Sequence, residues 1–297
     1  MRTRTVVAVA VAVVVVAGLG VPALLMYHRL HPDRVNVDDD PGRHGMSYEQ
    51  VAFGSALDGA PLSGWYLPAP RPTGRAIVIV PGIDNNRLMS GVTLRLAPSL
   101  LAAGFDVLAF DLRGEGESGG EPITFGLREQ WDVLGAVHEA QARGARQVGV
   151  LGFSLGAAST ILAAARSADV AAVVADSAFA DLRDTLTRVL EQSDHLPGPA
   201  VGYVLALYGL MSGTDPGDVS PVEAIPKIAP RPVLLIQGGA DRTVPPVDSE
   251  RLLSAADGRS TVRWLVPSAS HAGSYFTDPI GYANRVVAFF AAAMPAT

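Results

Sequence analysis

Val148-Gly149-Val150-Leu151-Gly152-Phe153-Ser154-Leu155-Gly156-Ala157-Ala158 decides how this chain is read. An apolar strand-like run passes into a small-residue helical run through Gly152-Phe153-Ser154-Leu155-Gly156, a G-x-S-x-G pattern. A serine exposed on so tight a strand-to-helix turn brings its flanking backbones very close together, and glycine at both flanks leaves the room. Ala157 and Ala158 then let the helix approach a sheet. The helix start offers free backbone N–H groups and the positive end of its dipole to a developing oxyanion. Ser154 is therefore the candidate nucleophile, and the Leu155 N–H the first candidate oxyanion donor.

A serine hydroxyl is a poor nucleophile without a base. Of six histidines, His28, His31 and His44 fall in the N-terminal segment, His138 in a helix pattern and His195 in a long insertion. His271 follows the last strand pattern in Ser268-Ala269-Ser270-His271-Ala272-Gly273, a small-residue loop that can hold an imidazole above a strand end. It is the candidate base. The base needs an acid that fixes its tautomer and stabilises the imidazolium. Asp241, in Gln237-Gly238-Gly239-Ala240-Asp241, is preferred for that role. Asp176, directly after Val170–Ala175, is a rival whose ordinary reading is helix capping. The second oxyanion donor is expected from Pro81-Gly82-Ile83-Asp84-Asn85-Asn86, after the strand pattern Ala76–Val80. Gly82 lets the backbone approach there, and the Ile83 N–H is the candidate.

Around these residues the chain alternates. Ser47–Phe53 and Pro61–Leu67 flank the turn signal Asp58-Gly59 and predict an antiparallel pair. Ala76–Val80, Asp106–Phe110, Val148–Phe153, Val170–Ala175, Pro232–Gln237 and Thr261–Val266 read as buried parallel strands. Helical patterns over Ser90–Ala103, Leu127–Arg143, Leu155–Arg166, Asp248–Ala256 and Pro279–Ala293 separate them. The fold class is α/β, a mostly parallel sheet of about eight strands with helices on both faces. One stretch interrupts the alternation: residues 181–228 carry two helical pieces, Leu182–Gln192 and Pro199–Met211, but no strand. An insertion of that length is a lid, or else extra helices patching the sheet.

The N-terminus differs from the rest. Met1, Arg2 and Arg4 precede Val6–Met26, 21 residues without a charge, the length that spans a bilayer core. Two readings stand. Gly18 and Gly20 give a weak small-residue cleavage site for a signal peptide that ends near Val21. The length of the run favours an uncleaved anchor instead, with the body exported, although Arg29 and Arg34 oppose the charge of Arg2 and Arg4. Residues 27–45, with Pro32, Asp38-Asp39-Asp40, Pro41 and Gly42, read as a polar tether, and residues 46–297 as the folded domain. The expected location is thus the cell membrane, with the domain outside the cytoplasm, or secretion after cleavage.

Composition sets the exclusions. With 48% hydrophobic and 18% charged residues, the chain is not of the disordered class. A net charge of −6 leaves no basic footprint for nucleic acid. The absence of cysteine excludes a thiol nucleophile, a cysteine metal centre and a disulfide framework.

Taken together, Met46 to Pro295 resembles an α/β-hydrolase, and in particular the bacterial membrane-anchored or exported serine hydrolases of the esterase/peptidase-like branch. Asp111-Leu112-Arg113-Gly114-Glu115-Gly116-Glu117-Ser118 is similar to that family's D-x-R-G-x-G-x-S loop, where Arg113 is expected to tie the loop together. Ser220–Ile225 before Arg231-Pro232-Val233 resembles the approach to its acid strand, and His271 to Tyr275 its histidine loop. Ser154, Asp241 and His271 follow the order of that fold. Pro81 departs from the His-Gly of many members and bears on substrate fit more than on a backbone donor. The resemblance implies acyl transfer to water, with a small-molecule ester as substrate and neither cofactor nor metal. A serine peptidase or aminopeptidase is the alternative, although no cluster for a peptide terminus is visible. A non-catalytic binding protein on the same fold is the third reading.

Overall fold

Arg75–Val80, Phe105–Phe110 and Gln147–Phe153 are runs of β-branched and aromatic residues, and they form the centre of an eight-stranded sheet. The computed structural model describes residues 5, 18, 20–192 and 195–296. In chain order the strands are β1 (Glu49–Gly54), β2 (Pro61–Leu67), β3 (Arg75–Val80), β4 (Phe105–Phe110), β5 (Gln147–Phe153), β6 (Val170–Asp176), β7 (Val233–Gly238) and β8 (Thr261–Val266). Their spatial order is β1-β2-β4-β3-β5-β6-β7-β8. β1 pairs antiparallel with β2, and β2 with β4, while every later pair is parallel. This is the architecture the alternating pattern predicts.

Helices cover both faces: α1 (Val92–Ala102), α2 (Glu129–Ala142), α3 (Leu155–Arg166), α4 (Leu182–Gln192), α5 (Gly198–Ser212), α6 (Pro221–Ala224), α7 (Pro246–Ala255), α8 (Ser274–Thr277) and α9 (Pro279–Ala293). The two-residue period of a strand divides the core in two. Ala76, Val78 and Val80 of β3 pack with Val133 and Val137 of α2 and Ile161 of α3. Ile77 and Ile79 point to the other face, with Leu96 and Leu100 of α1 and Val286 and Phe290 of α9. Because β3 to β7 are buried on both faces, their sequences read as continuous apolar runs rather than as alternation.

Two expectations need correction. Thr261–Val266 is parallel as predicted but lies at the sheet edge, not in its interior, with Val262 53% and Leu265 40% exposed. Its Trp264 is covered by the Arg285 guanidinium at 4.6 Å, an arrangement that hydropathy alone does not reveal. The stretch 27–45 does not trail from the domain as a tether. Residues 20–30 are helical, and Met26 and Leu30, four apart on one helix face, are fully buried in the core. The Leu30 carbonyl accepts from the Ile123 N–H at 2.9 Å, Arg34 donates to the Ser118 carbonyl at 2.6 Å, and Asn86 Nδ2 donates to the Asn36 carbonyl at 2.9 Å. Most of the uncharged run Val6–Met26 lies outside the described residues. Among the described residues, no helix is long and apolar enough to cross a membrane.

The insertion forms α4, α5, a short 3-10 turn at Pro216–Asp218 and α6. Leu186, Leu190 and Val204 are buried against the core, whereas Leu210 is 81% exposed. Arg188 pairs with the buried Asp248 of α7 at 2.9 Å, and Arg251 with Asp184 at 2.8 Å, which ties α4 to the domain.

Candidate active site

The C-terminal ends of five parallel strands converge on one site, the place where open α/β sheets hold their ligands. Ser154 stands between β5 and α3 with φ 50° and ψ −114°, a left-handed conformation for a residue that carries a side chain. Such strain costs on the order of 1–3 kcal/mol and persists where the surroundings over-determine it. They do so here. A Cβ on Gly152 would lie 2.3 Å from the Gly156 carbonyl oxygen, and one on Gly156 would lie 2.3 Å from that of Pro81. The Ser154 N–H is held by the Asp176 carbonyl at 2.8 Å. The elbow is therefore fixed by backbone contacts that no other residue type at the two glycine positions would allow.

The structure brings Ser154, Asp241 and His271 together. His271 Nε2 lies 2.8 Å from Ser154 Oγ, and His271 Nδ1 lies 2.8 Å from Asp241 Oδ2. Asp241 is 3% exposed, and donors surround its carboxylate. Oδ1 accepts the Thr243 and Val244 N–H groups at 2.9 Å each, and Oδ2 accepts Gln237 Nε2 at 3.2 Å. Asp176, the rival acid, is fully buried, and its side chain does not meet His271 directly. Its Oδ1 accepts from the Ser177 hydroxyl at 3.0 Å, and the Tyr282 hydroxyl lies beside it. Burial pushes the Asp176 carboxyl up to about 6.

The loop after β3 passes next to the elbow. A Cβ on Gly82 would lie 3.3 Å from Ser154 Cβ, so glycine sets the approach of Ile83. Among the described residues no group accepts from the Ile83 or the Leu155 N–H, and both residues lie beside Ser154 at the surface of one cavity. Arg113 behaves as the resemblance implies. It binds Asp132 at 2.7 Å, Asp58 at 3.1 Å and the Ser55 hydroxyl at 2.9 Å.

Three supporting residues were not singled out from the sequence. The Ser177 hydroxyl accepts the Ala272 N–H at 3.1 Å and donates to Asp176, which steadies the histidine loop from below. Gln237 links Asp241 to the Val244 carbonyl at 2.9 Å. Glu115, in the loop Asp111–Ser118, is fully buried, and its Oε1 accepts the Asp84 N–H at 2.8 Å. It thereby holds the loop that carries Ile83. Glu115 Oε2 has no hydrogen-bond partner among the described residues, and burial pushes the carboxyl up to about 8.

The sign of the resulting pH dependence follows from linkage. The folded chain keeps a proton that the unfolded chain loses near 4.5, so this stabilisation is complete below that value and is lost as pH rises through about 8. Between pH 6.5 and 8 the loss is about 2 kcal/mol, or ~4–8 °C in melting temperature. Glu115→Gln, which keeps the shape without the charge, is expected to flatten the melt over that interval. The Asp176 contribution falls below it. Parallel slopes for wild type and variant would contradict this account of Glu115.

Two cavities meet at Ser154. The larger, about 770 Å³, is walled mainly by apolar side chains, among them Ile83, Phe125, Phe179, Leu186 and Val244, with His28, Arg29, His31 and Asp33 on the side of the N-terminal segment. The smaller, about 570 Å³, runs past His271 and mixes Asn85, Ser90, Ser268 and Ser270 with Met89 and Phe276. A mainly apolar cavity and a mixed one therefore flank the same serine.

A strained serine at a strand–helix elbow, relayed to a histidine and an aspartate at neighbouring strand ends, defines the class of α/β-hydrolases. The family model described as Alpha/beta hydrolase family matches residues 77–285, and the chain belongs to that family. Among curated proteins, the uncharacterized protein YfhR of Escherichia coli O157:H7 is 29% identical over 283 residues, covering 92% of this chain and 90% of its own. The uncharacterized protein YqkD of Bacillus subtilis is 31% identical over 241 residues, covering 78% of this chain and 75% of its own. Among solved structures, the esterase Pf2001 of Pyrococcus furiosus superposes with a TM-score of 0.74 at 25% identity, over 88% of this chain and 97% of that one.

Proposed function

We propose that this chain hydrolyses carboxylic esters through an acyl-enzyme on Ser154. The observation that carries the reading is the pair of 2.8 Å contacts linking Ser154, His271 and Asp241, beside two backbone N–H groups from which no described residue accepts. In the first step Ser154 Oγ attacks the ester carbonyl carbon while His271 Nε2 takes its proton. Asp241 holds the Nδ1–H, fixes the tautomer and stabilises the imidazolium. The oxyanion of the tetrahedral adduct accepts from the Ile83 and Leu155 N–H groups, and the α3 dipole adds to that field. Collapse breaks the bond to the alcohol oxygen, which leaves with the proton from His271. A water then gives its proton to His271, attacks the acyl carbon and releases the acid, and the proton returns to Ser154. The larger, mainly apolar cavity is the acyl side of this scheme and the smaller, mixed cavity the alcohol side. The likeness to an esterase at 25% identity supports the substrate class.

The test compares an ester and an amide carrying the same acyl group, corrected for their intrinsic reactivities. The ester is expected to be preferred. A corrected preference for the amide, above all one needing a free amino terminus, would replace the esterase with a peptidase.

The uncharged run Val6–Met26 supports an N-terminal membrane anchor, with the hydrolase domain outside the cytoplasm. Fractionation is expected to find the full chain in membranes, and a soluble protein beginning near Val21 would mean a cleaved signal.

A further inference from the structure

Residues 25–33 cross the predicted boundary between the uncharged run and the tether, yet they form one side of the cavity that holds Ser154. Leu25, His28, Arg29, His31, Pro32 and Asp33 all line that space of about 770 Å³. Within the helix over residues 20–30, the spacing i, i+3, i+4 puts Leu25, His28 and Arg29 on one face. Met26 and Leu30 occupy the adjacent face, have no exposed surface and pack into the core, which fixes the cavity face in place. Past the helix, His31 Nδ1 lies 3.0 Å from the Tyr27 carbonyl oxygen, and its ring stacks on that of Tyr27 with centroids 4.3 Å apart. Asn86, 2% exposed, fastens the chain after this wall to the loop that carries Ile83, through its bond to the Asn36 carbonyl. The wall residues lie outside the stretch 77–285 that matches the family.

The sides of the cavity differ in chemistry. Phe179 and the α4 residues Leu182 and Leu186 are apolar and buried, whereas residues 28–33 present two imidazoles, a guanidinium and a carboxylate. An alkyl chain gains free energy with each methylene it buries against the first side. Against the second it strips water from polar groups and offers them no hydrogen bond in return. We propose that residues 25–33 determine acyl specificity by ending the apolar space, so that kcat/KM rises with acyl length only until the chain reaches this wall. The inference rests on the esterase reading of Ser154, with the larger cavity as its acyl side, and narrows it. Leu25 is the specificity-determining residue to alter, because it is the apolar member of the helix's cavity face and is 40% exposed rather than part of the core.

The experiment measures kcat/KM of the full chain for straight-chain p-nitrophenyl esters from acetate to dodecanoate, each below its micelle concentration. Wild type is expected to gain about fourfold per methylene up to a break, and to level or fall beyond it. Leu25→Trp should move the break to a shorter chain and lower the ratio of the best wild-type ester to acetate about tenfold, the loss of one or two covered methylenes. Leu25→Ala should move the break to a longer chain. Val189→Trp, on the α4 side of the same cavity, shows independently whether the acyl chain lies there. A profile shifted by Val189→Trp but by neither Leu25 variant overturns the inference and leaves the acyl assignment standing. A loss in Leu25→Trp that is equal for every ester also overturns it, because the residue would then act through the fold. Profiles unmoved by all three variants remove the acyl chain from this cavity, and wild type inert toward the whole series overturns the esterase reading itself.

Discussion

Ser154→Ala is expected to lower kcat for ester hydrolysis by about 10⁴–10⁶ while leaving the melting temperature nearly unchanged. The magnitude follows from the role: without Oγ no acyl-enzyme forms, and what remains is the oxyanion donors and binding. The stability expectation follows from the elbow. Its conformation is set by Gly152, Gly156 and the bond from the Ser154 N–H to the Asp176 carbonyl, none of which involves the hydroxyl. Alanine keeps the Cβ and that backbone bond. Turnover at the wild-type level would remove Ser154 from the chemistry. A collapse of the melt would mean that lost activity reported lost structure.

Asp241→Asn should depress kcat by roughly 10⁴. An amide nitrogen facing His271 Nδ1 would donate where the carboxylate accepts, which turns the imidazole to the tautomer that cannot take the serine proton. The Thr243 and Val244 N–H groups that now bind Oδ1 would still find the amide oxygen, and Gln237 Nε2, which loses Oδ2, keeps the Val244 carbonyl, so the melting temperature is expected to change little. Asp176→Asn should cost far less, because its carboxyl meets Ser177 and the Tyr282 hydroxyl rather than the imidazole. The reverse ranking would make Asp176 the acid.

These two aspartates show how far the sequence could be read. Both follow strand patterns and both precede the histidine, so order alone left them open. What separates them is the side-chain environment at the ends of β6 and β7, including the amide of Gln237, and no spacing encodes that. The elbow was legible because its requirement is steric and local: a Cβ at either glycine meets backbone at 2.3 Å. The alternation of strands and helices was legible because β3 to β7 are covered on both faces and so carry unbroken apolar runs.

Other parts were hidden for physical reasons. The burial of Glu115 leaves no mark in the sequence, because a carboxyl held by a backbone N–H has the same sequence as an exposed one. The burial of residues 26 and 30 had a signal in the four-residue spacing of Met26 and Leu30, but the prolines and aspartates that follow outweigh it in composition. Consequently His28 and Pro32 went unread as cavity residues, although the structure sets them in the wall beside Ser154.

The central claim is that Ser154 is a nucleophile activated by His271. Treating the full chain with a fluorophosphonate and mapping the adduct by mass spectrometry tests it most directly. The account predicts a single phosphonyl group on the peptide containing Ser154, absent from Ser154→Ala and formed far more slowly in His271→Ala. No adduct on the folded wild-type protein, or one on another serine, would contradict it.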